Sequence, residues 1–112
     1  MYIDKITNAQ NTPVVFCAKV TGSSGQNTLN ASGDLAVSGV SLFYPYGIYS
    51  LPPNNQTVLL TQLGGAYGAT GCLMPSQAMN RGEICIFSSG GARIRLLNTG
   101  EIFLNATRIA PG

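Results

Sequence analysis

Histidine and tryptophan do not occur in this 112-residue chain, and charge is scarce, with 6 Lys and Arg and 4 Asp and Glu making 9% of the residues. An average soluble domain carries roughly 25% charged residues. Without histidine, the chain lacks the commonest general base and the commonest metal ligand. The carboxylates are scattered along the chain, at Asp4, Asp34, Glu83 and Glu101. No local pattern indicates a catalytic centre, so we expect neither an enzyme nor a bound cofactor.

The positive charge of the chain is also too low and too dispersed to predict a nucleic-acid partner. The formal net charge is +2, and the cations are dispersed apart from Arg93 and Arg95. Affinity for nucleic acid comes largely from clustered Lys and Arg that neutralise phosphates. The N-terminus has no basic region followed by an apolar stretch, and no apolar run reaches the length of a membrane span. We therefore expect no nucleic-acid partner, no secretory signal and no transmembrane segment.

The longest gap in charge is the segment 35–80, which has no charged residue in 46 consecutive positions. Glycine, proline, asparagine and glutamine interrupt it throughout, which is not typical of a membrane segment. Two interpretations stay open. Either much of this surface faces other protein, or Ser, Thr, Asn and Gln solvate it adequately.

The three cysteines, Cys17, Cys72 and Cys85, are odd in number and form no Cys-x-x-Cys pair. Each has apolar, strand-like neighbours. We expect them to be buried small hydrophobic side chains of a protein that folds in a reducing compartment.

Glycine, proline, asparagine and serine recur every few residues, and no segment has a sustained helical period. This pattern predicts an all-β chain of short strands. The predicted strands are 14–20, 38–44, 56–62, 68–74, 83–87, 93–97 and 101–105. The polar segment 22–34 is predicted to be a loop or a mobile hairpin tip, and 76–80 a single helical turn.

The C-terminal part contains a repeat. Gly82, Gly91 and Gly100 lie nine residues apart, and each precedes a short predicted strand. Alternation along a strand places six apolar side chains on one face of a three-strand meander; they are Ile84, Ile86, Ile94, Leu96, Ile102 and Leu104. Three strands are too few to bury that face alone. It packs either within the chain, which the pattern alone favours, or against two other copies around a threefold axis.

Several short motifs follow one another from residue 46 onward. They are Tyr-Gly-Ile-Tyr-Ser-Leu-Pro-Pro at 46–53, Asn-Arg-Gly-Glu-Ile-Cys-Ile-Phe at 80–87, Gly-Ala-Arg-Ile-Arg-Leu at 91–96 and Gly-Glu-Ile-Phe-Leu-Asn-Ala at 100–106. Together with Gln-Thr-Val-Leu-Leu at 56–60 and Leu-Gly-Gly at 63–65, they lie in the stretch 46–106, which is a little over half of the chain. In this order and spacing the chain resembles the spike proteins of tailed-phage baseplates, the Mu-type spike or baseplate assembly protein V family.

The resemblance implies a fold and a role. The fold is a small OB-like barrel over residues 1–80, followed at 81–112 by a short β-spike that forms a trimeric β-prism or β-helix. The implied homotrimer caps the tail tube in the virion baseplate and pierces the host cell envelope on infection. Its partners would be the tail tube or hub, other baseplate proteins and, transiently, the host outer membrane. Either a separate tip protein binds the blunt end of the shaft, or the protein is a reduced spike. Assembly would take place in the host cytoplasm.

Two details qualify the implied spike. The six apolar side chains of the meander become candidates for the axial core of the trimer. Many spikes of this type end in a His-x-His pair that binds iron, and a chain without histidine cannot form that site.

A second class of function remains open, a monomeric OB-like module that binds single-stranded nucleic acid or sugar. Aromatic side chains in the uncharged segment could serve as stacking platforms; they are Phe43, Tyr44, Tyr46, Tyr49 and Tyr67. No Lys or Arg is interleaved with them, so packing in the barrel core or at an interface is the competing explanation. Oligomeric mass separates the two classes.

Overall fold

A computed structural model describes residues 13–76 and 78–112, and within them the chain is all β, with no helix. Nine strands follow one another: β1 Val15–Gly25, β2 Thr28–Gly33, β3 Ala36–Leu42, β4 Thr57–Leu63, β5 Ala66–Cys72, β6 Ile84–Phe87, β7 Arg93–Leu96, β8 Ile102–Leu104 and β9 Thr107–Ile109. The chain divides into two compact units, the first ending at Met74 and the second covering Pro75–Gly112. The first twelve residues of the predicted OB-like domain lie outside the described residues.

The first unit is a closed five-stranded barrel with the strand order β1-β2-β3-β5-β4. Neighbouring strands are antiparallel except β3 and β5, which run parallel through Ser41–Gly68 and Leu42–Ala69. Pairing of β1 with β4 closes the barrel. This arrangement is compatible with an OB-fold, the five-stranded Greek-key barrel. Closure leaves the barrel without an open sheet edge.

Alternation along the strands supplies the core of the barrel. On β1 every second residue, Phe16, Ala18 and Val20, points inward and is buried. The remaining buried residues come from all four other strands; they are Leu29, Ala31, Val40, Val58, Leu60 and Ala69. Phe16 meets Tyr67 edge to face, with ring centroids 5.2 Å apart. Among the described residues no polar or charged side chain is buried.

A bulge interrupts the pairing of β4 with β5. Leu59 pairs with Gly71 and Leu60 with Ala69, so Thr70 is the extra residue of β5. The Thr70 hydroxyl lies 3.0 Å from the hydroxyl of Thr61. Bulges bend a strand and increase its twist, as closure of a small barrel requires.

The second unit is a four-stranded antiparallel sheet in the sequential order β6-β7-β8-β9. Each connection is tight and uses a residue with positive φ: Gly91 at +92°, Gly100 at +87° and Asn105 at +55°. The first two turns are closed by backbone hydrogen bonds from Gly91 to Ser88 and from Gly100 to Leu97, both 3.0 Å. Glycine tolerates such φ values without steric cost, which explains why glycine recurs here at a spacing of nine residues.

All seven predicted strands are present, with shifted ends, and the all-β prediction is confirmed. Two predictions about irregular segments need correction. Of the two alternatives for 22–34, the hairpin tip is present but confined to residues 26 and 27, because β1 continues to Gly25 and β2 begins at Thr28; the rest of the segment is mostly strand rather than loop. The predicted turn of helix at 76–80 does not form in its described residues, and Gln77 lies outside them. The three-strand meander has a fourth strand, β9.

The cysteine prediction is also wrong for two of the three residues. Cys17 and Cys72 are exposed, and Cys85 is half-buried. Cys17 lies between the inward-pointing Phe16 and Ala18, so alternation places its side chain on the outer face of the barrel. Apolar neighbours in the sequence therefore did not mean apolar surroundings in the fold.

Candidate assembly surface

The six predicted axial residues share one face of the C-terminal sheet, where they form two cross-strand rows. Directly opposed residues of an antiparallel sheet point to the same side. One row runs Ile84–Leu96–Ile102–Ile109 and the other Ile86–Ile94–Leu104–Thr107. Sequence reasoning missed Ile109, although the alternation Thr107-Arg108-Ile109 after Asn105 was its signal. We call these seven apolar residues the isoleucine face.

The isoleucine face is open to solvent in the single chain. Six of its seven side chains are between 38% and 58% exposed, and Ile102 is half-buried. Soluble monomers rarely expose contiguous apolar patches of this kind, and such patches commonly mark an interaction site. The fully buried residues within 13–76 and 78–112 lie entirely in the barrel. Residues of the second unit therefore have no fully buried core of their own.

The opposite face of the sheet is chemically different. Cys85, Arg95, Phe103 and Arg108 form its central row. The Arg95 guanidinium lies over the Phe103 ring, 4.9 Å from its centroid, and the buried Arg95 Nε has no hydrogen-bond partner. A cation over an aromatic face contributes about 0.5–1 kcal/mol at an exposed site. This mixed face is suited to water, and the isoleucine face is not.

The ion pair of the described residues lies in the C-terminal sheet. Arg108 on β9 pairs with Glu101 through its Nε. That hydrogen bond, followed by one from the Thr99 hydroxyl at 2.8 Å, holds the pKa of Glu101 below its usual value. The pair connects the start of β8 with β9 and so fixes the strand that sequence reasoning missed.

Glu83 connects the segment just before β6 to the β7–β8 turn through hydrogen bonds. Its two carboxylate oxygens accept backbone N–H hydrogen bonds from Asn98 and Asn80, each 3.1 Å long. These hydrogen bonds, with the Asn98 donor contributing most, lower the pKa of Glu83. The Asn98 amide in turn donates to the Arg81 carbonyl at 2.9 Å. Gly82, which lies between Arg81 and Glu83 in the chain, has a φ of +95°. A Cβ at Gly82 would be 2.8 Å from the Asn98 side-chain oxygen.

Acid is expected to destabilise this sheet through Glu83 and Glu101. Each carboxyl has a lower pKa in the folded chain, so it binds protons less readily there than in the unfolded chain. Their stabilisation is therefore present above the unfolded pKa of about 4.3 and is lost as pH falls below it, through the folded pKa. Calorimetry between pH 7 and pH 3 should show this as a falling midpoint of thermal unfolding.

The matched comparison is the double variant Glu83→Gln/Glu101→Gln. It cannot titrate at either position, so its unfolding midpoint should depend less on pH below pH 4.5 than that of the natural chain. An identical acid slope in both proteins would show that neither carboxylate contributes.

The five candidate stacking aromatics do not form one platform. Tyr67 packs on Phe16 in the barrel and donates its hydroxyl hydrogen to the Pro13 carbonyl. The Phe43 ring lies against Gly68, where a Cβ would be 2.6 Å from its Cε1 atom. Tyr44, Tyr46 and Tyr49 alone line a common hollow.

No three Cys, Asp or Glu side chains within residues 13–76 and 78–112 come together as a group able to hold a metal ion. The same ranges contain no helix long and apolar enough to span a bilayer.

The geometry defines the class: an all-β chain with a closed five-stranded barrel and a separate four-stranded sheet that carries one exposed apolar face. Comparison of the chain with protein-family models, with curated proteins and with solved structures finds no match.

Proposed function

We propose that this chain is a structural component of a tailed-phage baseplate, the homotrimeric central spike that caps the tail tube and pierces the host cell envelope. The observation that carries the proposal is the isoleucine face, seven large apolar side chains on one side of a sheet that buries none of them fully. The order of motifs between residues 46 and 106, which resembles the Mu-type spike family, gives this face its role.

Three copies around an axis are a physically sound way to cover such a face. In a threefold prism the three isoleucine faces meet at the centre and form a continuous apolar core. Burying an Ile or Leu side chain completely contributes about 1.5–3 kcal/mol, so seven half-exposed residues in each of three chains supply a large driving force. β-Branched isoleucine is also stiff at χ1 and favours the extended chain, which suits a rigid shaft.

The edges of the sheet are consistent with the same arrangement. β6 and β9 are its first and last strands, and each pairs with one neighbour within the sheet. Edge strands with free backbone donors and acceptors tend to pair with other chains unless they are covered. A closed trimer brings the edge of one copy close to the next copy, and cyclic symmetry allows this contact to close without forming fibres.

The proposed mechanism is mechanical, so it needs stiffness rather than reactive groups. The barrel would bind the tail tube or hub and neighbouring baseplate proteins in the virion, after assembly in the host cytoplasm. The C-terminal prism would point outward and cross the host outer membrane during contraction. Since these 112 residues contain no histidine, they would not themselves supply an iron-binding tip of the His-x-His type.

The decisive experiment is the mass of the purified chain in solution. Size-exclusion chromatography with multi-angle light scattering should give three times the chain mass of 11.7 kDa. A protein that remains monomeric across the accessible concentration range would overturn the spike proposal. It would favour the alternative, a monomeric OB-like module for single-stranded nucleic acid or sugar.

A further inference from the structure

A hollow of about 330 Å³ opens at one end of the barrel, between the tip of the β1–β2 hairpin and the segment that follows β3. Three tyrosines, Tyr44, Tyr46 and Tyr49, line it together with apolar Pro45 and Ile48. Asn27 and Ser50 contribute polar groups to the same wall. Binding sites for small ligands typically combine an apolar lining with a few well-placed polar groups.

A tight turn presents Tyr46 to solvent. The backbone N–H of Ile48 donates to the carbonyl of Pro45 at 3.1 Å, which closes the turn Pro45-Tyr46-Gly47-Ile48. Gly47 takes a φ of +92°, as the third residue of a type II turn requires. The Tyr46 side chain at the corner is fully exposed. Such exposure of a large aromatic ring has no role in the packing of the barrel.

Tyr49 is held in place while its ring stays accessible. Its hydroxyl donates to the Gln26 carbonyl at 3.3 Å and also contacts the Asn27 side-chain oxygen. Although the hydroxyl is engaged, the side chain is 73% exposed. A ring fixed at one end loses less conformational entropy when a ligand stacks on it, which makes it a preorganised platform.

Tyr44 is the least exposed of the three tyrosines that line the hollow. Its hydroxyl lies 3.6 Å from the Cys72 sulfur, and burial raises the pKa of Tyr44 above its usual range. The phenol is therefore neutral at any physiological pH. Tyr44 thus contributes aromatic surface without charge to the hollow.

The absence of charge from this wall selects the ligand. The lining residues belong to the uncharged segment 35–80, apart from Asn27, and none of them is charged. Nucleic acids bind chiefly through cations that neutralise phosphates, and this hollow offers none. A neutral sugar has an apolar face of C–H groups that can stack on an aromatic ring and hydroxyls that hydrogen-bond to amide and hydroxyl groups. Barrels of OB type bind oligosaccharides with a surface that includes the β1–β2 loop, and Asn27 of that loop lines this hollow.

We propose that the Tyr44–Tyr46–Tyr49 hollow is a binding site for neutral carbohydrate. This site would give the protein an adhesive function in addition to the mechanical one. It does not depend on the trimer, because every residue that forms it lies in the barrel of a single chain.

The test uses the full chain on an array of neutral and acidic oligosaccharides. The affinity for a retained glycan is then measured by titration calorimetry. Tyr46→Ala should weaken that affinity about tenfold or more, since an aromatic stacking platform commonly contributes on the order of one power of ten. Tyr46→Phe keeps the ring and should stay within about twofold of the natural chain. Met74→Ala is the matched control, because Met74 is 86% exposed on the same unit and does not line the hollow.

Tyr46 is free of the barrel core, so its substitution should leave the fold intact, as far-UV circular dichroism would show. Retention of neutral glycans with the expected order of the variants supports the proposal. Three results would overturn it. The array retains no neutral glycan, or Tyr46→Ala binds the retained glycan as tightly as the natural chain does, or an oligothymidylate of twenty nucleotides binds more tightly than any glycan. A failed glycan test leaves the solution mass unaffected, so it can be distinguished from failure of the spike proposal.

Discussion

Ile94→Asp is expected to convert the proposed trimer into folded monomers. Ile94 lies on the central strand pair of the isoleucine face, opposite both Ile86 and Leu104. Threefold symmetry would bring three carboxylates together in an apolar interior, where each loses hydration and repels the others. The residue is 41% exposed in the single chain, so the same substitution should be tolerated by the sheet itself. Light scattering should report the mass of one chain across the micromolar range.

The matched control is Phe87→Asp, which introduces the same charge at a residue that is 47% exposed on the same sheet. Phe87 pairs with Arg93 and points to the opposite face, so its variant should remain trimeric. Circular dichroism of both variants separates loss of assembly from loss of fold. A trimeric Ile94→Asp variant would remove Ile94 from the interface, and monomers from both variants would show that charge anywhere on the sheet disrupts it.

The C-terminal sheet is where sequence reasoning worked best, and the reason is local. Its strands β6, β7 and β8 carry Ile or Leu at every second position, and its turns use Gly91 and Gly100 at positions where φ is positive. Alternation fixes the face and turn length fixes the register, so the cross-strand rows could be predicted residue by residue. The fourth strand was missed because Thr107–Ile109 is only three residues long and contains a single large apolar side chain.

The barrel was less predictable because its polar residues have structural roles that composition does not reveal. Strand β2 looks like a loop, since Leu29 and Ala31 alone supply its inward face. Asn30 between them accepts a hydrogen bond from the Gly39 backbone at 3.0 Å, at the point where the pairing of β2 with β3 is irregular. An asparagine that indicates a turn in the sequence here satisfies a backbone donor within a strand.

Long-range pairing was the other part that the sequence could not determine. The parallel contact of β3 with β5 joins residues that are 27 positions apart, Ser41 with Gly68 and Leu42 with Ala69. The bulge at Thr70 places Ala69 opposite the buried Leu60 and Gly71 opposite the exposed Leu59, so two residues of β5 that are two positions apart lie on opposite faces. A strict period of two would have placed Ala69 and Gly71 on the same face. The tyrosine hollow depends on the same kind of contact, because Gln26 and Asn27 hold Tyr49 across 22 or more residues.

Leu60→Ala is expected to produce the largest loss of stability in the barrel. Leu60 is fully buried and pairs with Phe16 on one side and Ala69 on the other, so it is in contact with two other strands. Truncating a buried leucine removes its transfer free energy and leaves a cavity, at a cost of about 2–5 kcal/mol. Since domains of this size unfold with only about 5–15 kcal/mol, the variant should lose a substantial share of its stability.

Leu59→Ala is the control for that experiment, because it makes the same chemical change one residue earlier. Leu59 is 39% exposed and points to the outer face, so its truncation should cost less than about 1 kcal/mol. Urea denaturation followed by tyrosine fluorescence reports on the first unit alone, since all 5 tyrosines precede residue 68 and the chain has no tryptophan. The midpoint should fall steeply for Leu60→Ala and little for Leu59→Ala, with similar slopes. Equal losses would place both side chains in comparable surroundings and contradict the inward and outward alternation on which the barrel, and the hollow at its end, depend.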